Sequence, residues 1–315
     1  MSGKVTSFGS LNLDLTYQLE RLPSAGETLL SKGFERRCGG KGANQAAAAA
    51  AAGAQVAMVG AVGDDDAGQT MLDALETAGV DVSAVRRYPD APSGSAVIFT
   101  GALSGENMIV VDQGANRLLT VTQAAPAAVT GADVVMAQLE VPIAAVAAAA
   151  AAATGLFILN TAPWQPLPAT LLEHVDLLVA NQTELGLLAG TQAPASAAQA
   201  AAVISGLPLS CPVMVTLGSQ GAVLYEPDRQ RFTHATAPPV EVADSTGAGD
   251  CFCGVLAARM AAGAELPEAM RYAVIGASLS TRSVGARAGL PTLAEIERAD
   301  GLFSTPKTVQ GLPDP

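Results

Sequence analysis

From residue 131 to about residue 218 the chain repeats one pattern. A short apolar run ends on a polar residue, and a longer, often alanine-rich stretch follows. The runs cover residues 133–139, 156–159, 177–180 and 213–215, and they end on Glu140, Asn160, Asn181 and Thr216. Near-continuous apolar runs of this length suit strands buried on both faces. The stretches between them are long enough for crossover helices, so the pattern predicts a mainly parallel sheet with helices on its faces. In such sheets ligands bind beyond the carboxyl ends of the strands. Any one of the polar ends could be a cap, but as a set on consecutive strands they form a candidate crevice.

The N-terminal part is less regular. Residues 5–10 read as a first strand. Asn12 and Asp14 follow, two apart, and share a face if the chain stays extended; otherwise they are ordinary turn residues. After a turn at 23–28, Cys38-Gly39-Gly40-Lys41-Gly42-Ala43-Asn44-Gln45 opens an alanine-rich helix that Gly53 ends. Residues 55–63 form a strand. Asp64-Asp65-Asp66 lacks the spacing of a calcium loop and reads as a helix N-cap. Residues 95–103 and 108–112 flank Ser104-Gly105-Glu106-Asn107 as a hairpin. Helices are expected at 267–283 and 293–299, and the tail 304–315, with three prolines and no periodicity, is expected to be flexible.

Composition narrows the classes. Half of the 315 residues are hydrophobic and 15% are charged, enough for one large core, and a single domain over 1–315 is expected. The net charge of −12, the lack of a Lys/Arg run and a single Trp argue against nucleic acid as a partner. No signal peptide is evident at the N-terminus. The apolar stretch 143–159 is divided by Thr154-Gly155 into helix and strand, so no membrane span is expected. Cys38, Cys211, Cys251 and Cys253 form no CxxC pair and fit reduced, mostly buried thiols of a cytoplasmic protein. His174 and His234 are assigned structural roles.

The chemistry concentrates at Asp244-Ser245-Thr246-Gly247-Ala248-Gly249-Asp250. The glycines allow a tight turn that points several N–H groups at one spot. The apolar spacing of Phe252, Val255, Leu256 and Met260 then predicts a helix from about Ala248 to Gly263. A loop-to-helix junction of this kind can hold a phosphate. Asp250 lies in the same first turn. Either it favours the helix N-terminus, or it accepts a proton from an alcohol while the N–H groups stabilise charge on a transferring phosphoryl group. A P-loop fails because Gly42 follows Lys41, and a dinucleotide fingerprint fails because position 252 is Phe. Gly39-Gly40, with Lys41 and Asn44, offers close backbone approach and hydrogen-bonding groups for a polyhydroxylated ligand. Asp244 is a second carboxylate six residues before Asp250, and no Lys or Arg occurs between residues 240 and 258. Either it caps the turn through its own backbone or a cation neutralises it.

These two segments resemble the signatures of the ribokinase-like carbohydrate kinases, the PfkB family. The resemblance covers nearly the whole chain and includes Asn12-Leu13-Asp14, Gly26-Glu27-Thr28, Gly114-Ala115-Asn116, Asn181-Gln182-Thr183-Glu184 and 216–221 in the family's order. It implies a three-layer α/β/α core with a small β-sheet lid formed by about 12–37 and 95–113. It also implies an ATP-dependent kinase acting on a sugar's primary hydroxyl. Ribose is the expected acceptor; 2-deoxyribose, fructose or another ketose, or a nucleoside are alternatives, as is a sensor that has lost catalysis. The resemblance places Asn12, Asp14, Gly39, Gly40, Lys41, Asn44 and Glu140 around the sugar, with Asp250 as base and Gly247, Ala248 and Gly249 as anion hole. Asn181, Thr216, Gly218, Ser219, Gly221 and Gly249 would meet ATP, and Glu184 would organise Mg²⁺ and its water. A potassium ion would lie at Asp244, Thr246, Ser280, Ser283, Gly285 and Gly289. Val274 stands where the family often has a histidine near the adenine, which implies an apolar contact with the base. The lid also implies a homodimer.

Overall fold

The structure, a computed structural model, describes residues 3–101, 107–120, 127–302 and the backbone of 307–308. Its strands, in chain order, are β1 (Lys4–Phe8), β2 (Asn12–Leu19), β3 (Gly33–Gly39), β4 (Gln55–Gly63), β5 (Val80–Asp81), β6 (Val85–Tyr88), β7 (Gly94–Gly101) and β8 (Asn107–Asp112). They continue with β9 (Val134–Ala137), β10 (Leu156–Asn160), β11 (Leu177–Asn181), β12 (Val213–Thr216), β13 (Ala222–Glu226), β14 (Arg231–Ala235) and β15 (Lys307–Thr308).

The large sheet runs β15-β14-β13-β12-β11-β10-β9-β1-β4-β5, with β6 also on β4, and it is parallel from β12 through β5. Its strands show why their sequences read as unbroken apolar runs. Val134, Met136, Ile158, Leu177, Val179 and Met214 point into one buried layer. Their neighbours Val135, Ala137, Phe157, Leu159, Leu178, Ala180, Val213 and Val215 point into the other. Helices Lys41–Ala51, Ala248–Ala261 and Leu266–Ser280 cover the first face. Helices Ile143–Ala152 and Ala197–Ser205 cover the second. The expected three-layer α/β/α core is present. No helix among the described residues is long and apolar enough to cross a membrane.

A separate four-stranded sheet, ordered β3-β2-β7-β8, projects from this core. Asn12 and Asp14 lie in strand β2, paired with Gly39 and Arg37 of β3, so the extended alternative holds over the turn. Every described side chain of β8 is exposed, including Met108, Ile109, Val110 and Val111.

Several expectations need correction. The β13–β14 hairpin extends the sheet antiparallel, where the repeating pattern gave no hint of it; the short turn after β12 leaves no room for a crossover, and Tyr225 stacks on Phe232. Strand β1 stops at Phe8. The helix expected over 267–283 ends at Ser280, because the Thr281 carbonyl accepts the N–H groups of Ala243 and Asp244. Within the tail, Lys307–Thr308 pairs with β14; the rest of 304–315 and the hairpin turn at 104–106 lie outside the described residues.

Helix Ala248–Ala261 is buried along most of its length and crosses helix Lys41–Ala51 in close contact. A Cβ on Gly254 would lie 2.5 Å from both the Ala48 Cβ and the Gln45 carbonyl oxygen. Only glycine allows this approach, and the approach brings the first turns of the two helices together.

Candidate active site

The helix Ala248–Ala261 starts from Gly247, whose φ of 76° is costly for any other residue type. Its Cα packs against Ala286. The Gly247 carbonyl accepts the Cys251 N–H at 2.8 Å, while the N–H groups of Gly249 and Asp250 come before this first intrahelical donor and lie at the positive end of the helix dipole. Asp250 is buried. Its Oδ2 accepts from Asn44 Nδ2 at 3.0 Å and its Oδ1 from Gln45 Nε2 at 3.1 Å. Each amide is itself held from behind. Gln138 Nε2 donates to Gln45 Oε1 at 2.6 Å, and Arg287 Nε donates to Asn44 Oδ1 at 2.8 Å. Gln45 ends the first glycine-rich segment with no role assigned to it from the sequence, and nothing in local pattern marks Arg287.

The expected sugar-side residues converge here. The Asn116 side chain bonds both the N–H and the carbonyl of Leu11 and donates to Asn12 Oδ1 at 2.8 Å, which fixes the turn between β1 and β2. Glu140 Oε2 accepts from the Lys41 N–H at 3.0 Å and from the Ser10 hydroxyl. Gly40 immediately precedes helix Lys41–Ala51, and Gly39 lies so close to the Asp14 carboxylate that a Cβ would collide with it. Burial, reinforced by Glu140 and Asp250 and only partly offset by Arg287, pushes the Asp14 carboxyl up to about 6. Burial works to lower the Lys41 ammonium, but Asp250, Glu140 and Glu184 outweigh it and hold Lys41 above its ordinary value.

Two connected cavities adjoin this cluster. A cleft of about 580 Å³ is lined by Thr216, Gly218, Ser219 and Gly221 on one side and by Phe252, Val274 and Ser278 on the other. Pro238, Pro239, Val240 and Val242, absent from the sequence reading, complete an apolar wall. A cavity of about 120 Å³ shares Thr216 and Gly249 with the cleft and adds Lys41, Asn181, Glu184, Gly247, Asp250 and Cys253. The geometry suits a nucleotide whose base lies between apolar walls and whose terminal phosphate reaches the helix N-terminus beside Asp250.

Among the described residues no group of three or more His, Cys, Asp or Glu side chains could hold a metal ion. Glu184 is the N3 residue of a capping box: its Oε2 accepts the Asn181 N–H at 2.9 Å and its Oε1 the Asn181 Nδ2 at 2.9 Å. Both oxygens are engaged, which fits a role through water better than direct ligation of Mg²⁺. Asp244 Oδ1 accepts from the N–H and hydroxyl of Thr246, and its Oδ2 from the Gly285 N–H at 2.8 Å. Burial raises the Asp244 carboxyl, but these donors and the nearby Arg37 outweigh that effect and lower it. The capping role is therefore real, and Arg37, distant in sequence, supplies the positive charge that residues 240–258 lack. Gly289 packs against the Ser280 carbonyl and Ser283, and the Gly285 N–H bond to Asp244 brings this segment beside the carboxylate.

Known proteins place this arrangement. The chain matches the pfkB family of carbohydrate kinases over residues 2–293. It is 36% identical over 294 residues to a ribokinase of Bacillus subtilis, spanning 92% of this chain and 96% of that one. It is 34% identical over 302 residues to a ribokinase of Haemophilus influenzae, spanning 94% and 97%. The solved structure of Arabidopsis thaliana ribokinase complexed with ribose and ATP superposes with a TM-score of 0.87 at 31% identity, covering 96% of this chain and 100% of that one. With both glycine-rich signatures meeting at one buried aspartate, the chain belongs to the pfkB family of carbohydrate kinases.

Proposed function

We propose that the protein is a ribokinase, transferring the γ-phosphoryl group of ATP to the primary hydroxyl of ribose. The observation that carries this reading is the position of Asp250. It sits at the helix N-terminus where the nucleotide cleft and the sugar-side cluster meet, oriented by two amides. In the reaction the Asp250 carboxylate takes the proton of the attacking hydroxyl, the hydroxyl oxygen bonds to the γ-phosphorus, and the bond to the bridging oxygen of ADP breaks. The N–H groups around Gly247, Ala248 and Gly249, with the Lys41 ammonium, face the charge on the transferring group. Asn12, Asp14, Gly39, Gly40, Asn44 and Glu140 hold the sugar hydroxyls. Asn181, Thr216, Gly218, Ser219 and Gly221 hold the nucleotide. Mg²⁺, when bound, neutralises phosphate charge, and Glu184 would hold it through its water. Potassium would be held by Asp244 and by oxygens around Thr246, Ser280, Ser283, Gly285 and Gly289. The chain acts as one domain, with the small sheet of 12–37 and 95–113 as a lid in a cytoplasmic enzyme.

Four outcomes are expected. In a phosphorylation screen over pentoses, hexoses and nucleosides, ribose gives the highest kcat/KM, and Asp250→Asn lowers kcat by ~10²–10⁴ while ATP and sugar still bind. A higher kcat/KM for 2-deoxyribose, fructose or adenosine would replace the substrate, and a loss under threefold would remove Asp250 as the base.

At constant ionic strength, replacing sodium with potassium raises activity several-fold, and Asp244→Ala abolishes the difference. Equal rates in both salts would leave Asp244 as a turn cap whose charge Arg37 balances.

The lid buries its apolar face in a homodimer, because β8 exposes Met108, Ile109, Val110 and Val111, and Met108 continues the cross-strand row of Phe34, Tyr17 and Phe99. Light scattering at micromolar concentration should give twice the chain mass, and a monomeric mass refutes the dimer.

The fourth outcome concerns Asp14. Its folded-state value of about 6 lies above that of the unfolded chain, so between about pH 4 and 6 the folded protein binds more protons and loses stability as pH rises. Asp14→Asn removes this dependence. In urea unfolding without ligand, the variant should gain on the order of 2–3 kcal/mol on the wild type between pH 4 and pH 7. A difference that does not change with pH contradicts the burial of a charge at this site.

A further inference from the structure

Arg287 takes no part in the chemistry above, yet its side chain reaches the centre of the site. It comes from the segment that follows helix Leu266–Ser280. Its Nε donates to Asn44 Oδ1 at 2.8 Å and its Nη2 to the Gly39 carbonyl at 3.1 Å. Burial lowers its guanidinium from the usual range, and Cys38, Asp14 and Asp250 lie close enough to counter this. Both of its hydrogen bonds among the described residues go to uncharged oxygens rather than to a carboxylate. An arginine whose purpose was to neutralise the site would be expected on Asp14 or Asp250. This one instead donates to two uncharged oxygens, and both belong to the elements that shape the site.

The bond to Asn44 has a chemical polarity. A guanidinium only donates and an ionised carboxylate only accepts, whereas an amide has one end of each kind. Asn44, placed between Arg287 and Asp250, therefore has one favourable orientation, with its oxygen toward Arg287 and its NH₂ toward Asp250 Oδ2. Without Arg287 the Asn44 oxygen loses its donor, and Asp250 alone is left to hold the amide. The second bond ties the end of β3 to the segment that begins two residues earlier with Gly285, whose N–H binds Asp244.

We propose that Arg287 is a positioning residue for phosphoryl transfer: it holds Asn44 in the one orientation that serves Asp250, and it joins the segment that binds Asp244 to the end of β3. The inference rests on the reading of Asp250 as the base, and the test separates the two. Asp250→Asn, Asn44→Ala, Arg287→Ala, Arg287→Gln and the double variant Asn44→Ala/Arg287→Ala are compared for kcat and for KM of sugar and ATP. Arg287→Ala is expected to lower kcat about 10-fold or more and to change the KM for ATP less than about twofold. Arg287→Gln, whose amide can still donate to Asn44 Oδ1, recovers part of the loss. The double variant is no slower than Asn44→Ala alone, because the two side chains act as one unit. The proposal is overturned if Arg287→Ala stays within threefold of wild type while Asp250→Asn is inactive, or if the losses in the double variant multiply. A generally loosened fold would multiply them. Activity retained in Asp250→Asn would instead remove the base assignment and leave the Asn44–Arg287 cycle to be judged on its own coupling. Should Arg287→Ala be insoluble, Arg287→Gln alone and with Asn44→Ala carries the same comparison.

Discussion

Two amide hydrogen bonds to the Asp250 carboxylate bind the site into one piece. They join the first turn of helix Ala248–Ala261 to the first turns of helix Lys41–Ala51, more than two hundred residues away in the chain. Both helices begin at the same place, so the positive ends of two dipoles converge on one small cavity. The convergence depends on Gly254, since any side chain there would push the helices apart and draw Gln45 away from Asp250. The rest of the fold follows from it. The parallel strands bring Asn160, Asn181 and Thr216 to the same edge, and the small sheet brings Asp14 and Gly39 from above.

The charge balance of this region is uneven. Among the described residues, Asp14, Glu140, Glu184 and Asp250 share the site with only Lys41 and Arg287, and burial, reinforced by the neighbouring carboxylates, makes Asp14 hold its proton well above the usual carboxylate range. A ligand-free protein with this arrangement is under electrostatic stress that hydroxyl donors and cations would relieve. Acidic side chains are suited to sugar hydroxyls for that reason, because each hydroxyl supplies a donor without adding charge. The helix N-termini take the opposite role toward phosphate.

Much of this was legible in the sequence because it is local. An apolar run that meets a polar residue, a glycine pair before a helix and a glycine-alanine-glycine turn before an aspartate each fit within ten residues. What remained hidden depends on distance along the chain. Arg287 stands in a glycine- and alanine-rich segment with no periodicity, and its partner Asn44 is 243 residues away. Arg37 approaches Asp244 only because β3 folds over the core. The β13–β14 hairpin was concealed by the preceding alternation of strand and helix, which set an expectation that the short turn at 217–221 breaks. The role of Gln45 could have been suspected from its place next to Asn44, but consecutive helical residues seldom serve one ligand. Here both reach Asp250, the asparagine amide bonding one carboxylate oxygen and the longer glutamine the other.

Asn181 and Glu184 illustrate a cost that such economy imposes on experiment. Their reciprocal bonds start helix Gln182–Ala189, and the same two side chains face the cavity beside Asp250. Loss of a helix cap is worth about 1 kcal/mol, enough to loosen the first turn of a helix this short. A Glu184 variant made to probe cation preference would therefore also release the backbone of Asn181 at the end of β11. Its kinetics would mix a change in the phosphate environment with fraying of the wall that encloses it, and only a substitution that keeps the cap, such as glutamine, could separate the two.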